Sequence, residues 1–279
     1  MELIRHSGKN FFVHVYLDQY NRRLWVDDYE TGDPGSMRGF LLDLALMRRM
    51  EKIILPAREG DEKKLQGEGF FTEGVIRGYF NGTDAHFLAA FPSAKRAESS
   101  SLAEEKKMLQ DILRLPRERK VNIPAGFSLR QAAKTDVLQI AGLFRKVFAT
   151  YPSPVFDPDY LSRAMDRGDI YMVVYHGSRL AGAAAAETRR DQQRAELTNC
   201  ATDPGYRGMG LNTLLLARIE KDCLSRGINC LYSLARASSY GMNLVLHRLG
   251  YIFGGSLVNN CHIDGAFENM NIWYGAAKK

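Results

Sequence analysis

The chain is poor in the features that mark secreted, membrane or metal-binding proteins. It has four cysteines in 279 residues, Cys200, Cys223, Cys230 and Cys261. No two stand two residues apart, so zinc-ribbon spacing is absent and no metal is expected. Reduced thiols in a cytoplasmic protein are the simplest account. No apolar run approaches the ~20 residues of a membrane helix. The opening MELIRHSGKNFF lacks a long apolar stretch and a small-residue cleavage site, which argues against a secretory signal. No helix carries a long basic stripe, and no aromatic-rich RNA motif is present. The net charge of +6 therefore points to a small phosphorylated ligand rather than to nucleic acid.

What is present describes a globular protein. Apolar residues make up 45% and charged residues 25% of the chain, and the length favours two domains. The stretch from Pro92 to Pro124 reads as a divider: a Ser-rich piece, one charged helix (LAEEKKMLQDILR) and a Pro-bounded tail. The expected units are residues 1–92, a linker at 93–124, and 125–279. The last unit alternates strand and helix patterns, which predicts an α/β (α+β) sheet domain.

The first unit echoes the last. KIILPAREGDEKKLQGEGFFTEGVIRGYF and CLYSLARASSYGMNLVLHRLGYIFGGSLV share strand, helix and strand in that order. Leu65, Gly69 and Gly74 keep the spacing of Leu246, Gly250 and Gly255. Two copies of one supersecondary pattern would explain this, and so would chance. The first unit has no glycine turn beside an arginine, so any copy has lost that chemistry.

The most informative stretch is NCATDPGYRGMGLNTLLLARIE, residues 199–220. A strand pattern runs into two glycines, an arginine and a leucine-rich helix. The start of a helix leaves backbone N–H groups without partners and carries partial positive charge. Gly208 and Gly210 let an anion approach the backbone, and Arg207 adds a forked donor, so the junction suits a pyrophosphate. A turn that merely needs positive φ is the plainer alternative. A Walker loop and a GxGxxG fingerprint are both absent.

DPGYRGMGL after a strand resembles motif A of the GNAT N-acetyltransferases, with Arg207 and Gly210 matching and Asn212 where the family prefers a small residue. NCATDPGYRGMGL, LYSLARASSYGMN, GYIFGGSLVNN and ENMNIWY, with WVDDY and GVIRGYFNG earlier, are similar to the β-lysine N-acetyltransferases. The resemblance implies a GNAT-like mixed central sheet flanked by helices, and the echo, if it is not chance, makes the N-terminal domain a degenerate GNAT-like copy. It implies acetyl-CoA as cosubstrate and β-lysine as the amine, giving N-ε-acetyl-β-lysine, a compatible solute. It implies a cytoplasmic enzyme without nucleic-acid or membrane partners, for which a homodimer is open. It assigns the cosubstrate to Cys200, Ala201, Thr202, Arg207, Gly208, Met209, Gly210, Leu211, Asn212 and Asn243. Another small amine, a polyamine, a protein lysine, or a non-catalytic acyl-CoA-binding module are the alternatives.

An alkyl amine has a pKa near ~10.4 and must lose a proton before it attacks. Glu196 is the candidate base, acting through water, because alternation places Glu196, Thr198 and Cys200 on one strand face. The tyrosine that many family members use as acid is replaced by Leu246, leaving Tyr240 and His247 as nearby substitutes, with Tyr240 preferred. Arg236 is a candidate for the substrate carboxylate, and Glu268 and Asp264 for its second amine, with solvated surface charge the plainer alternative for each. Residues 78–82, GYFNG, are expected to wall the pocket or to pair subunits.

Overall fold

The computed structural model describes residues 2–119 and 121–275. The N-terminal half runs β1 (Glu2–Ser7), β2 (Phe11–Asp18), β3 (Arg23–Thr31), α1 (Pro34–Met47), β4 (Lys52–Arg58), α2 (Glu62–Gly67), β5 (Phe71–Phe80) and β6 (Thr83–Ala90). Two helices follow, α3 (Ala94–Ala97) and α4 (Leu102–Arg114). The C-terminal half runs β7 (Phe127–Gln131), α5 (Val137–Val147), α6 (Pro158–Asp166), β8 (Ile170–His176), β9 (Arg179–Arg189), β10 (Arg194–Thr202), α7 (Leu211–Ser225), β11 (Cys230–Arg236), α8 (Tyr240–Arg248), β12 (Ile252–Ile263) and β13 (Ala266–Tyr274).

The two sides of the expected linker share one sheet of 13 strands, ordered β1-β2-β3-β4-β6-β5-β12-β13-β11-β10-β9-β8-β7. The order repeats: β1-β2-β3-β4-β6-β5 corresponds to β8-β9-β10-β11-β13-β12. The directions repeat as well, since β3 pairs with β4 and β10 with β11 in parallel while the other ladders are antiparallel. The equivalent strands β5 and β12 meet at equivalent residues, Gly74 opposite Gly255. The glycine spacing seen in the sequence thus marks the seam between two like units.

Only glycine fits that seam. A Cβ on Gly255, which has φ +140°, would lie 2.2 Å from Glu73 O and 2.5 Å from Gly74 Cα. Charged groups close the seam on either side. The buried Lys52 Nζ lies 2.7 Å from Glu73 and donates to Val258 O, while Val258 N–H donates to Glu73. Arg96 donates to Asn259 O and Asn21 O and pairs with Glu51, its guanidinium lying 3.2 Å from the Phe267 ring centre. Burying a charge is costly unless it is paired, and here each charge is paired.

Helices cover the C-terminal half on both faces. Leu211, Leu214, Leu215 and Ile219 of α7 pack on Ala184, Ala186, Ala195 and Leu197. Ile140, Ala141 and Phe144 of α5 pack on Ala183 and Ala185 from the other side. The alanines of β9 point alternately to the two faces, and their small size lets both helices sit close to the sheet.

Candidate active site

At the junction the strand, the two glycines and the helix stand in the order expected from the sequence. Gly208 and Gly210 have φ of +82° and +75°, and the space a Cβ would take is open at both. Gly210 is the N-cap of α7. The first helix amide with a main-chain acceptor is Leu214, on Gly210 O; those of Leu211, Asn212 and Thr213 have none. Arg207 and Asn212 line the adjoining cleft, and Thr202 Oγ1 donates to Asn212 Oδ1 at 3.0 Å. Leu211 offers only its backbone, since its side chain is core, and the Met209 side chain is half exposed. These residues fit a pyrophosphate: free N–H groups, a helix start, an open approach and a guanidinium. The equivalent helix start in the N-terminal half does not. There Pro34 lacks an N–H and the Asp33 carboxylate caps Ser36 N at 3.0 Å, so a negative charge already occupies the position.

The strand before the junction is splayed. β10 pairs with β11 only from Arg194 to Glu196, after which β11 stays with β13. On its other edge β10 follows β9 but changes register between Thr198 and Ala201. Asn199, with φ +54°, is the left-handed residue that makes this bulge. Its N–H donates to Tyr151 Oη at 3.3 Å instead of to the ladder. Ala201 pairs with Ala183 and Asp203 N–H donates to Ala181 O, so alternation turns the N–H of Thr202 toward the opened side.

The bulge corrects the expectation that Cys200 shares a face with Glu196 and Thr198. One extra residue inverts the alternation. Cys200 packs with the cluster that holds Ala195 and Leu197, on the α7 side, while Ala201 joins the α5 side. Burial pushes the Cys200 thiol up to about 12, which removes it as a nucleophile.

Glu196 lies in a cleft of about 1720 Å³ that both halves line. Directly across the ladder stands Glu187, which the sequence did not single out. Burial, reinforced by Glu187, pushes the Glu196 carboxyl up to about 8, against the pull of Arg23. Burial and Asp169 push Glu187 up to about 7. Tyr151 and Tyr160 stand over this face from the α5–α6 segment, and Tyr232 from β11. The N-terminal half contributes Tyr16 from β2, Arg23, Trp25 and Asp27 from β3, and Tyr79 from β5. Tyr79 belongs to the GYFNG stretch, which therefore walls the cleft.

Four further expectations are corrected. Arg236 and Glu268 do not wait for opposite ends of a substrate, because their guanidinium and carboxylate bond each other at two points. Tyr240 is half exposed at the start of α8 and is not among the cleft-lining residues. Asn243 is fully buried with every side-chain bond spent: Nδ2 donates to Arg236 O and Ser239 O, and Oδ1 accepts from Asn271 and Trp273. It has nothing left for a cosubstrate. His247 is held by Leu115 O at 2.8 Å, and Leu246 is core.

A splayed strand, a glycine-lined helix start and a half-buried carboxylate in one cleft are parts of an acyl-transfer site. The profile of the acetyltransferase (GNAT) family matches residues 137–251. The N-acetyltransferase YodP of Bacillus subtilis is 39% identical, over 92% of this chain and 93% of that protein. The chain belongs to the GNAT acetyltransferase family. It is an acetyl-CoA-dependent acyltransferase. The chain is also similar over nearly full length to two archaeal proteins. The beta-lysine N(6)-acetyltransferase of Methanosarcina mazei is 33% identical over 85% of this chain and 96% of its own. That of Methanococcus maripaludis is 30% identical over 93% and 94%.

The sequence missed Glu187, Arg194 and Tyr151. A faint signal existed for Glu187: it is the first charged residue after the alanine run of β9, the point at which a buried strand takes on a carboxylate.

Proposed function

We propose that this acetyltransferase moves the acetyl group of acetyl-CoA to the terminal amine of β-lysine in the cytoplasm, giving N-ε-acetyl-β-lysine. The carrying observation is the Glu187–Glu196 pair, half-buried at the cleft wall beside the β10 bulge. Two relatives that align along nearly the whole chain carry the β-lysine activity in their names.

The chemistry follows from the residues. Junction amides and Arg207 hold the pyrophosphate of the cosubstrate. The opened edge of β10 supplies an N–H toward the thioester carbonyl oxygen, where charge builds as the amine attacks. Glu196, coupled to Glu187, accepts the amine proton directly or through water. The new C–N bond forms as the C–S bond breaks, and the CoA thiolate takes a proton. β-Lysine carries two ammonium groups and one carboxylate, so acetylation leaves a molecule of zero net charge, the kind of solute a cell can accumulate without a counter-ion.

The test is turnover with acetyl-CoA against β-lysine, α-lysine, spermidine and a lysine peptide, followed as released thiol. The expected result is the highest kcat/KM on β-lysine. A preference for spermidine or the peptide would replace this reading, and cosubstrate binding without any turnover would reduce the protein to an acyl-CoA-binding module.

A further inference from the structure

Arg194 is a buried arginine of the cleft wall with no ion pair among the described residues. It begins β10, two residues before Glu196 on the same strand face. It is 96% buried by its 4% exposure, yet its Nε and Nη1 bond nothing and no carboxylate pairs with it among the described residues. Its guanidinium lies 3.9 Å from the centre of the Tyr79 ring, a support supplied by the N-terminal half. Tyr79 is itself fixed by ring contacts with Phe80, Phe87 and Tyr232. A buried guanidinium with idle donors is costly unless something occupies them. Two arginines nearby differ: Arg23 is paired with Asp18, and Arg189 lies near Asp27.

We propose that Arg194, held against Tyr79, receives the carboxylate of an amino-acid substrate whose amine lies at the Glu187–Glu196 pair. The inference rests on the amino-acid acetyltransferase reading above and assigns its carboxylate site. A guanidinium fork matches a carboxylate in shape and charge, and stacking on an aromatic ring leaves its edge free to donate. Alternate residues of a strand are about 6.6 Å apart, the scale of a short diamino acid from carboxylate to amine. The carboxylate receptor at Arg194, the amine site at Glu196 and the thioester site at the bulge thus follow one another along β10. This assigns a function to the N-terminal half. It builds one wall of the substrate site and holds the specificity residue in place, which explains how a copy without an anion-binding helix start still serves the reaction.

The experiment compares each amino acid with its own carboxamide, β-lysine with β-lysinamide and α-lysine with lysinamide, on the full-length enzyme and on Arg194→Gln. The wild type is expected to prefer the acid. The acid-to-amide ratio of kcat/KM is expected to fall by about 10- to 100-fold in Arg194→Gln, the loss of a charge-assisted pair, with Arg194→Lys between the two. CoA affinity, which depends on the far end of β10, should stay the same and reports on folding. Should Arg194→Gln not fold, Arg194→Lys and Tyr79→Leu carry the test, each lowering the same ratio. Equal losses on acid and amide, or a wild type that prefers the amides, overturn the proposal. A wild type that ignores β-lysine but prefers another amino acid to its amide sinks the β-lysine reading and supports the role of Arg194.

Discussion

Glu187 and Glu196 face each other across the β9–β10 ladder, and neither forms a salt bridge among the described residues. Opposed like charges on adjacent strands are normally destabilising. Here burial raises both carboxyls, to about 7 and about 8, so near neutrality the pair keeps a proton that ordinary carboxylates would have lost. A diammonium substrate would release that proton and take its place.

A base works only when it is deprotonated. The free enzyme's kcat/KM is therefore expected to rise with pH through the range of about 7 to 8 as the pair loses its protons. Glu196→Gln should remove this limb and lower kcat by about 10²- to 10⁴-fold. A steady-state profile from pH 6 to 9.5 checks it, and an unchanged limb in the variant would assign the titration to another group.

The same burial has a cost in stability. The Glu196 carboxyl holds its proton more tightly folded than unfolded, so its contribution favours folding at low pH and is lost as pH rises through about 8. Glu196→Gln should therefore be more stable than the parent at pH 8.5, by on the order of 1 kcal/mol or about 2–4 °C in Tm. The gain should vanish by pH 4.5. Calorimetry at both pH values decides the matter, and a destabilised variant at pH 8.5 would contradict it.

Asn199 makes the bulge that separates the two faces of β10. Asparagine tolerates a left-handed backbone, glycine adopts it freely, and a β-branched residue resists it. Asn199→Gly should keep kcat within about threefold, whereas Asn199→Val should lose at least about tenfold and lower Tm, because straightening the strand inverts Cys200, Ala201 and Thr202. Similar kinetics in the two variants would show that the bulge is not needed for turnover.

The seam between the halves depends on contact between backbones. Gly255→Val would drive a side chain into Glu73 O and Gly74 Cα, neither of which can yield as a side-chain tip would. A loss above about 3 kcal/mol or insoluble protein is expected. An exposed glycine, Gly177→Ala, serves as control, with an effect below about 2 kcal/mol. Denaturant unfolding measures both.

Local chemistry was legible in the sequence by itself. The glycine-arginine junction, the elements on either side and the echo between the two halves all rest on neighbours in the chain: helix starts, glycine turns and side-chain periodicity. Those features depend on local backbone sterics, so they survive without knowledge of the fold. The charged site was decided only by the tertiary structure. Arg236 and Glu268, 32 residues apart, cancel each other; Glu187 and Glu196 are opposed by register; Tyr79 reaches Arg194 across 115 positions. One left-handed residue reversed the alternation that had placed Cys200 beside Glu196. Which charges remain free to act depends on which others fold against them, and that is set by long-range pairing of strands whose partners no local pattern names.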